Sequence, residues 1–355
     1  MAPESQPAAR IDPQLERYSR QILFEHFGPD AQRKLLASRV TLIGCGALGT
    51  VIADTLVRAG LGFLRIVDRD YIEPNNLQRQ VLFDEQDIAE NLPKAAAAAN
   101  KLARVNSQVR VEAVVADANH ANIESLADGA HLLLDGTDNF ETRFLINDVA
   151  VKHNIPWIYG ACVSATGMVM PILPHETPCL RCIWQEPPPP GSSPTCDTAG
   201  VLAPAVHVVT ALQCVEAIKF LTGNHAALNR KLVQIDVWSG RFDSFDMSAA
   251  RDAQCPCCGK GNYEFLAAAR GAAAASLCGR NAVQVSPSST MKPDFAQIAA
   301  RVGPVADAPP RQNRFMLRFS VGRYDLTVFA DGRAIIKGTP DPQEARSVYA
   351  KYIGA

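Results

Sequence analysis

The chain is 355 residues long, 47% hydrophobic and 20% charged, with a formal net charge of −1. That length suits two units with a substantial core, and the near-neutral charge gives no ground for nucleic-acid binding. The N-terminus, MAPESQPAARIDP, lacks the charged-then-apolar layout of a signal peptide, so a cytoplasmic location is expected and the ten cysteines point to metal or catalysis before disulfides.

In chain order, residues 1–13 read as disordered and Leu15–Ala37 as a helical stretch, with Arg17, Tyr18, Arg20 and Gln21 crowded together. Val40–Ile43 is a short apolar run, expected as a buried strand. Gly44, Gly46 and Gly49 follow as G-x-G-x-x-G, then a helical stretch from Thr50 to Ala59 stopped by Gly60 and Gly62. Phe63–Val67 is a second strand, ending on Asp68. A strand, a glycine turn, a helix and a strand closed by an acid predict nucleotide binding. Backbone N–H groups approach a phosphate at the helix N-terminus, and the acid reaches ribose hydroxyls.

Glu73-Pro-Asn-Asn is turn chemistry, and Lys94 opens an alanine-rich helix ending near Val105. Val109–Val115 is a third strand, Ala118–Ala127 a helix, His131–Leu134 a fourth strand, Phe140–His153 a helix and Trp157–Ala161 a fifth strand. This alternation predicts a doubly wound, mostly parallel α/β sheet. Met168–Leu173 is extended. Pro187–Pro194 is a proline-rich surface crossover, because four consecutive prolines fit neither a helix nor a central strand. Val201–Leu221 is apolar but carries Pro204, His207, Gln213, Glu216 and Lys219, so it reads as a buried helix with no membrane role. Leu232–Val237 and Arg241–Met247 are paired strands. A boundary is expected at residue 262, with a small α+β module over 263–355. That module carries 12 Lys and Arg against 7 Asp and Glu, a balance opposite to the rest of the chain.

Several groups carry chemistry. Cys179-x-x-Cys182 and Cys255-x-x-Cys258 form two knuckles whose four thiolates suit a tetrahedral structural Zn²⁺. Asp138 lies just past a strand's C-terminal end, where a carboxylate can hold Mg²⁺ on phosphates or simply cap the next helix, as Thr137 or Asn139 also could. Arg20, Arg79 and Lys94 are cations near βα turns, suited to neutralising a triphosphate. Asn76 and Gln80 flank Arg79. Cys196 precedes a helix beside the proline-rich crossover, where it is either a thiol of lowered pKa or simply a buried small residue.

RYSRQ, GCGALG, VDRDYIEPNNLQRQ, NLPKA, LLDGTDNFETRFLIND, CLRC, CDTAGVLAPAV and CPCCG occur in this order. Over roughly residues 14–260 the chain therefore resembles the ThiF/MoeB/HesA adenylyltransferases, relatives of the ubiquitin-activating enzymes. The resemblance implies a homodimer, ATP with Mg²⁺, structural Zn²⁺, and a ubiquitin-like sulfur-carrier protein ending in Gly-Gly as substrate. Adenylation of that carboxylate would prepare a thiocarboxylate for thiamine or molybdopterin biosynthesis, with sulfur from a donor such as a cysteine desulfurase or rhodanese. Asp68 matches the ribose-binding acid. Asn76, Arg79, Gln80 and Lys94 match nucleotide and phosphate contacts. Asp138 matches the Mg²⁺-linked acid. Arg20 matches an arginine that crosses into the partner subunit's site, and Cys196 a cysteine used in covalent sulfur transfer. Gly44, Gly46, Ala47, Gly49, Asp70 and Asn139 complete the expected nucleotide site, Ala47 standing where many members have glycine. The last module shows no rhodanese loop, and partner docking is its expected role by analogy. The alternatives are an adenylating enzyme resembling tRNA dehydratases, an NAD-dependent oxidoreductase that Asp68 would also suit, and a non-catalytic zinc scaffold.

Overall fold

The computed structural model describes residues 12–189, 192, 194–267, 276–277, 281–286 and 292–354. Residues 1–11, within the expected disordered start, and part of the proline-rich crossover lie outside them.

The expected N-terminal helix is broken. A 3-10 turn over Pro13–Tyr18 leads into α1 (Ser19–Ile22), and α2 (Gly28–Leu36) starts afresh. Gly28, the first residue of α2, has φ +67, a left-handed conformation that cannot continue a preceding helix, and Pro29 fits a helix's first turn. Both residues stand in the sequence, but the apolar periodicity on either side masks them.

The central sheet follows from short apolar runs separated by helices. Its first half is β1 (Arg39–Ile43), α3 (Ala47–Ala59), β2 (Phe63–Asp68), α4 (Glu85–Ala89), α5 (Lys94–Val105), β3 (Arg110–Val115), α6 (Ile123–Ala127) and β4 (Leu132–Asp135). Next come α7 (Phe140–Lys152), β5 (Trp157–Val163), β6 (Thr166–Ile172), α8 (Leu180–Ile183), α9 (Cys196–Ala199), α10 (Ala203–Leu221), β7 (Leu232–Asp236) and β8 (Arg241–Phe245). The strand order is β3-β2-β1-β4-β5-β6-β7-β8. Strands β3 to β5 of that row are parallel, and β6, β7 and β8 are added antiparallel. The expected helix from Ala118 shrinks to Ile123–Ala127. Asn119 and Asn122 spend their side chains on local backbone N–H groups, Asn122 Oδ1 accepting from Asn119 and Asn119 Oδ1 from Ala121, which competes with helix.

Helix α10 is long and apolar enough to cross a membrane by composition. It packs instead along α3, β5 and β6, and its Thr210, Gln213 and Glu216 are buried against protein partners. Gln213 Nε2 donates to the Asp135 carbonyl at 2.9 Å, tying α10 to the end of β4. Five consecutive alanines in α5, Ala95 to Ala99, let that helix lie close on β2 and β3, with the first four fully or nearly buried.

The second unit is a six-stranded sheet, β9 (Ser276–Leu277), β10 (Ala282–Val285), β11 (Arg311–Gln312), β12 (Met316–Val321), β13 (Tyr324–Phe329) and β14 (Ala334–Lys337), in the order β11-β12-β13-β14-β10-β9. Period-two alternation sets its two faces. Val283, Val285, Leu317, Phe319, Leu326, Val328 and Ile336 face α11 (Phe295–Val302) and α12 (Pro342–Tyr352), while Ala282, Met316, Phe329 and Ile335 face Tyr71 of the first unit. The first unit's core runs past residue 262. Phe265 packs 5.0 Å from Phe144, its N–H donates to Asp148, and Glu264 pairs with Arg181.

Candidate active site and metal centre

Three neighbouring strands, β2, β1 and β4, deliver their C-terminal ends to one edge of the sheet. The order reverses between β1 and β4, which makes this the crevice where open α/β sheets bind ligands. Asp68 ends β2, Gly44 follows β1, and Asp135 ends β4.

The glycine turn is set by close packing. A Cβ on Gly49 would stand 2.1 Å from the Gly44 carbonyl oxygen, and one on Gly44 2.5 Å from that of Gly136. Gly46 differs, since among the described residues a Cβ there would meet only Gln80 Nε2, at 3.8 Å. The fold itself does not fill the space over Gly46, so that space suits a ligand's backbone-close approach. Nearby, Gln80 is buried and its Oε1 has no hydrogen-bond partner among the described residues, an acceptor that a bound group can satisfy.

Acid and base pairs organise the rest. Asp68 is spent on backbone, Oδ2 accepting from the Cys45 N–H at 2.6 Å and Oδ1 from the Asp70 N–H at 2.7 Å. Burial pushes the Asp68 carboxyl above its ordinary pKa, Lys94 and these N–H groups pull it down, and Asp70 adds to the rise. Lys94, at the start of α5 and 4% exposed, holds its Nζ 3.3 Å from Asp70 Oδ2, an ion pair away from water. Asn76 closes a capping box with Glu73, its Oδ1 accepting from the Glu73 N–H at 3.1 Å. Arg79 donates to the Asn75 carbonyl at 2.7 Å.

On the β4 side, the cap of α7 is Asn139, whose Oδ1 accepts from the Thr142 N–H at 2.8 Å. Asp138 is thus not the cap and its carboxylate belongs to the edge of the site. Its charge acts on Arg69, Arg143 and Cys196. Arg143 is buried, donates to Asp135 at 2.9 Å and to the carbonyls of Thr137 (2.7 Å) and Gly160 (2.9 Å), and so fixes the loop that carries Asp138. Removing either member of this buried pair would cost about 3–5 kcal/mol.

Cys196 corrects one expectation. It opens a four-residue helix, too short to lend a helix-end charge, and its thiol sits 3.4 Å from the Cys162 carbonyl. Burial raises its pKa and the Asp138 charge raises it further, against Arg79 and Arg143, so the resting form is the thiol. The same electrostatics bring Cys196, Asp138 and Arg79 into one neighbourhood. Arg20 stands exposed on α1, and no hydrogen bond or ion pair among the described residues draws it into this cluster. Sequence reasoning missed Arg69 and Arg143. Arg69 is charged against its burial by Asp117, Asp70 and Asp138. The E-T-R spacing after T-D-N places Arg143 one turn into α7, facing back to β4, which was the available signal.

The four knuckle cysteines converge farther along α7, beside Asn147. Their sulfurs all lie within 4.8 Å of one another, with Cys179 to Cys255 at 3.7 Å, Cys179 to Cys182 at 3.9 Å and Cys182 to Cys258 at 3.4 Å. A tetrahedron with Zn–S bonds of about 2.3 Å needs sulfurs about 3.8 Å apart, so the donor set fits Zn²⁺. Asn147 of α7 clasps both knuckles, accepting from the Leu180 N–H at 2.8 Å and donating to Cys257 Sγ at 3.2 Å. Four sulfur donors leave no open coordination position, the mark of a structural site.

Comparison with known proteins agrees with this geometry. The ThiF family model matches residues 18–257. The sulfur carrier protein ThiS adenylyltransferase of Bacillus subtilis is 42% identical over 338 residues, covering 95% of this chain and 99% of the relative. The protein of the same description from Escherichia coli is 36% identical over 250 residues, covering 70% of this chain and 96% of its own length. Among solved structures, E. coli MccB with ATP superposes with a TM-score of 0.59 at 26% identity, over 68% of this chain and 74% of that one. On the match over residues 18–257 and the edge-of-sheet site within them, this chain belongs to the ThiF family.

Proposed function

We propose that the chain is an adenylyltransferase that activates the C-terminal carboxylate of a ubiquitin-like sulfur carrier of the ThiS kind. The observation that carries this reading is the convergence of the Gly44–Gly49 turn, Asp68, Asn76, Gln80, Lys94 and Asp138 at the β2-β1-β4 edge, in a chain so similar to ThiS adenylyltransferases. ATP lies with its phosphates over the open space at Gly46 and its ribose toward Asp68. A carboxylate oxygen of the carrier attacks the α-phosphorus, the bond to the bridging oxygen breaks, and pyrophosphate leaves with its electron pair. The carboxylate is already ionised at neutral pH, so no general base is required. What the step requires is cancellation of building negative charge, and Lys94 and Arg79 supply fixed positive charge for it. Asp138 is the residue that would hold Mg²⁺, which neutralises phosphate charge when bound. The acyl-adenylate then yields to a sulfur nucleophile from a donor protein, and AMP departs.

The ThiF family match over residues 18–257 and the 42% identity to a ThiS adenylyltransferase favour adenylation over the oxidoreductase alternative. The test is carrier-dependent ATP–pyrophosphate exchange with a Gly-Gly-ended carrier, expected with ATP and absent when the final glycine is deleted. NAD binding with no exchange would sink the reading. The chain also acts as a two-fold homodimer in which Arg20, exposed on α1, reaches the partner's phosphates. Hybrid dimers of Arg20→Ala and Asp138→Ala subunits then regain activity that neither parent has, and inactive verified hybrids would put Arg20 to work in its own subunit.

A further inference from the structure

The inner face of the second sheet lies on the loop between Asp70 and Lys94, the loop that carries Asn76, Arg79 and Gln80. Tyr71 and Pro93 form an antiparallel bridge at the base of that loop. Tyr71 packs into the apolar face of Ala282, Met316, Phe329 and Ile335, with the Arg318 guanidinium 4.3 Å over its ring. On the returning side, Arg318 donates to Asn91 Oδ1 at 3.1 Å, and Asn313 Nδ2 donates to the carbonyls of Asn91 (2.7 Å) and Glu90 (3.2 Å). Asn91 has φ +49, a left-handed conformation three residues before Lys94 that these donors hold in place.

Two relays then run from the second unit into the site. Lys337 pairs with Glu73, whose carboxylate accepts from the Asn76 backbone N–H in the capping box. Gln284 donates to Asp117 at 2.8 Å, Asp117 pairs with Arg69 at 3.0 Å, and Arg69 stands 3.9 Å from Asp70. Asp70 in turn pairs with Lys94. Both ends of the nucleotide loop are therefore anchored to residues that lie outside the family-matched segment 18–257.

We infer that the C-terminal unit is a clamp that orders the ATP-binding loop before ATP arrives, with Lys337 as its principal positioning residue acting through Glu73 on Asn76. Loop ordering that is completed in advance is not charged against ligand binding, so the clamp works on ATP affinity more than on the chemical step. The inference rests on the adenylation reading for the identity of the ligand.

The experiment uses the full chain with Lys337→Met, Lys337→Arg, Glu73→Gln and the double variant Lys337→Met/Glu73→Gln. Carrier-dependent pyrophosphate exchange gives KM for ATP and kcat, and hydrogen exchange follows peptides spanning 71–94. Lys337→Met is expected to raise KM for ATP roughly fivefold with kcat within about twofold, and to speed exchange in 71–94. Lys337→Arg restores both, and the double variant is no worse than either single one. Glu73→Gln probes the same pair from the other side should Lys337→Met fold poorly. Unchanged KM and unchanged hydrogen exchange in both single variants, beside an active unsubstituted enzyme, overturn the clamp. An unsubstituted enzyme that exchanges no pyrophosphate overturns the adenylation reading instead, and hydrogen exchange at 71–94 then decides the clamp by itself.

Discussion

The nucleotide edge, at the start of α7, and the cysteine corner, held by Asn147 farther along that helix, are built on opposite plans. At the corner, four like groups converge with no open position, and Asn147 locks the knuckles from both sides. At the edge, unlike charges are paired off, Lys94 on Asp70 and Arg143 on Asp135, while space over Gly46 and the Gln80 acceptor are left unfilled. A closed set of ligands gives stability. A set of pre-paired charges around a gap gives selective binding, because the charges stay oriented without collapsing on the gap.

The largest way to break this comparison is to remove the cysteine ligands. The Cys179→Ser/Cys255→Ser variant should lose its zinc and its cooperative thermal transition, since structural zinc sites contribute on the order of 10 kcal/mol to the folded state. A zinc-free preparation with an unchanged Tm would strip the corner of its structural role. Next in size, Asp138→Ala should keep its Tm and lose pyrophosphate exchange by a factor on the order of a hundred or more, about 3 kcal/mol of transition-state stabilisation. Exchange at the unsubstituted rate would leave Asp138 with no part in catalysis.

A paired substitution sharpens the contrast within the edge itself. Gly49→Ala drives a methyl into the Gly44 carbonyl and should cost roughly 1–3 kcal/mol of stability. Gly46→Ala meets no such obstacle, so it should keep stability within about 1 kcal/mol while weakening ATP binding. Equal losses of Tm in both would show that Gly46 serves packing. The smallest effect concerns Cys196. Its alkylation should rise only above the pH at which an ordinary thiol ionises, and Asp138→Asn should bring that rise to lower pH by removing a charge that holds the proton on. An alkylation profile unmoved by Asp138→Asn would separate the two groups.

Much of this was legible in the chain because it is local. The β1–α3–β2 unit announces itself through apolar runs, glycines and Asp68 within one short stretch, and the cysteine spacing names its own chemistry. The break at Gly28 was hidden by helical periodicity on both sides. The length of α6 was set by asparagine side chains competing for backbone, which composition does not show. Arg69, Arg143 and Asn147 acquire meaning only when β4, α7 and the knuckles are brought together, since a charged residue at a helical spacing looks the same whether it faces water or a buried acid. The raised pKa of Cys196 escapes the sequence for a related reason. The pattern of a cysteine before a helix carries no information about how short the helix is or how near Asp138 stands.

The 76 positions separating Cys179 from Cys255 also bear on how the protein is made. Synthesis runs at roughly 5–20 residues per second, so several seconds pass between the emergence of the first knuckle and the second. Strands β1 to β5 leave the ribosome before then and can pair from their local βα units. The metal cannot be enclosed until residue 258 is free. A Zn²⁺ ion held by these four sulfurs would therefore be a late seal on a sheet already laid down, and chains made without it would carry a formed nucleotide edge and an open corner.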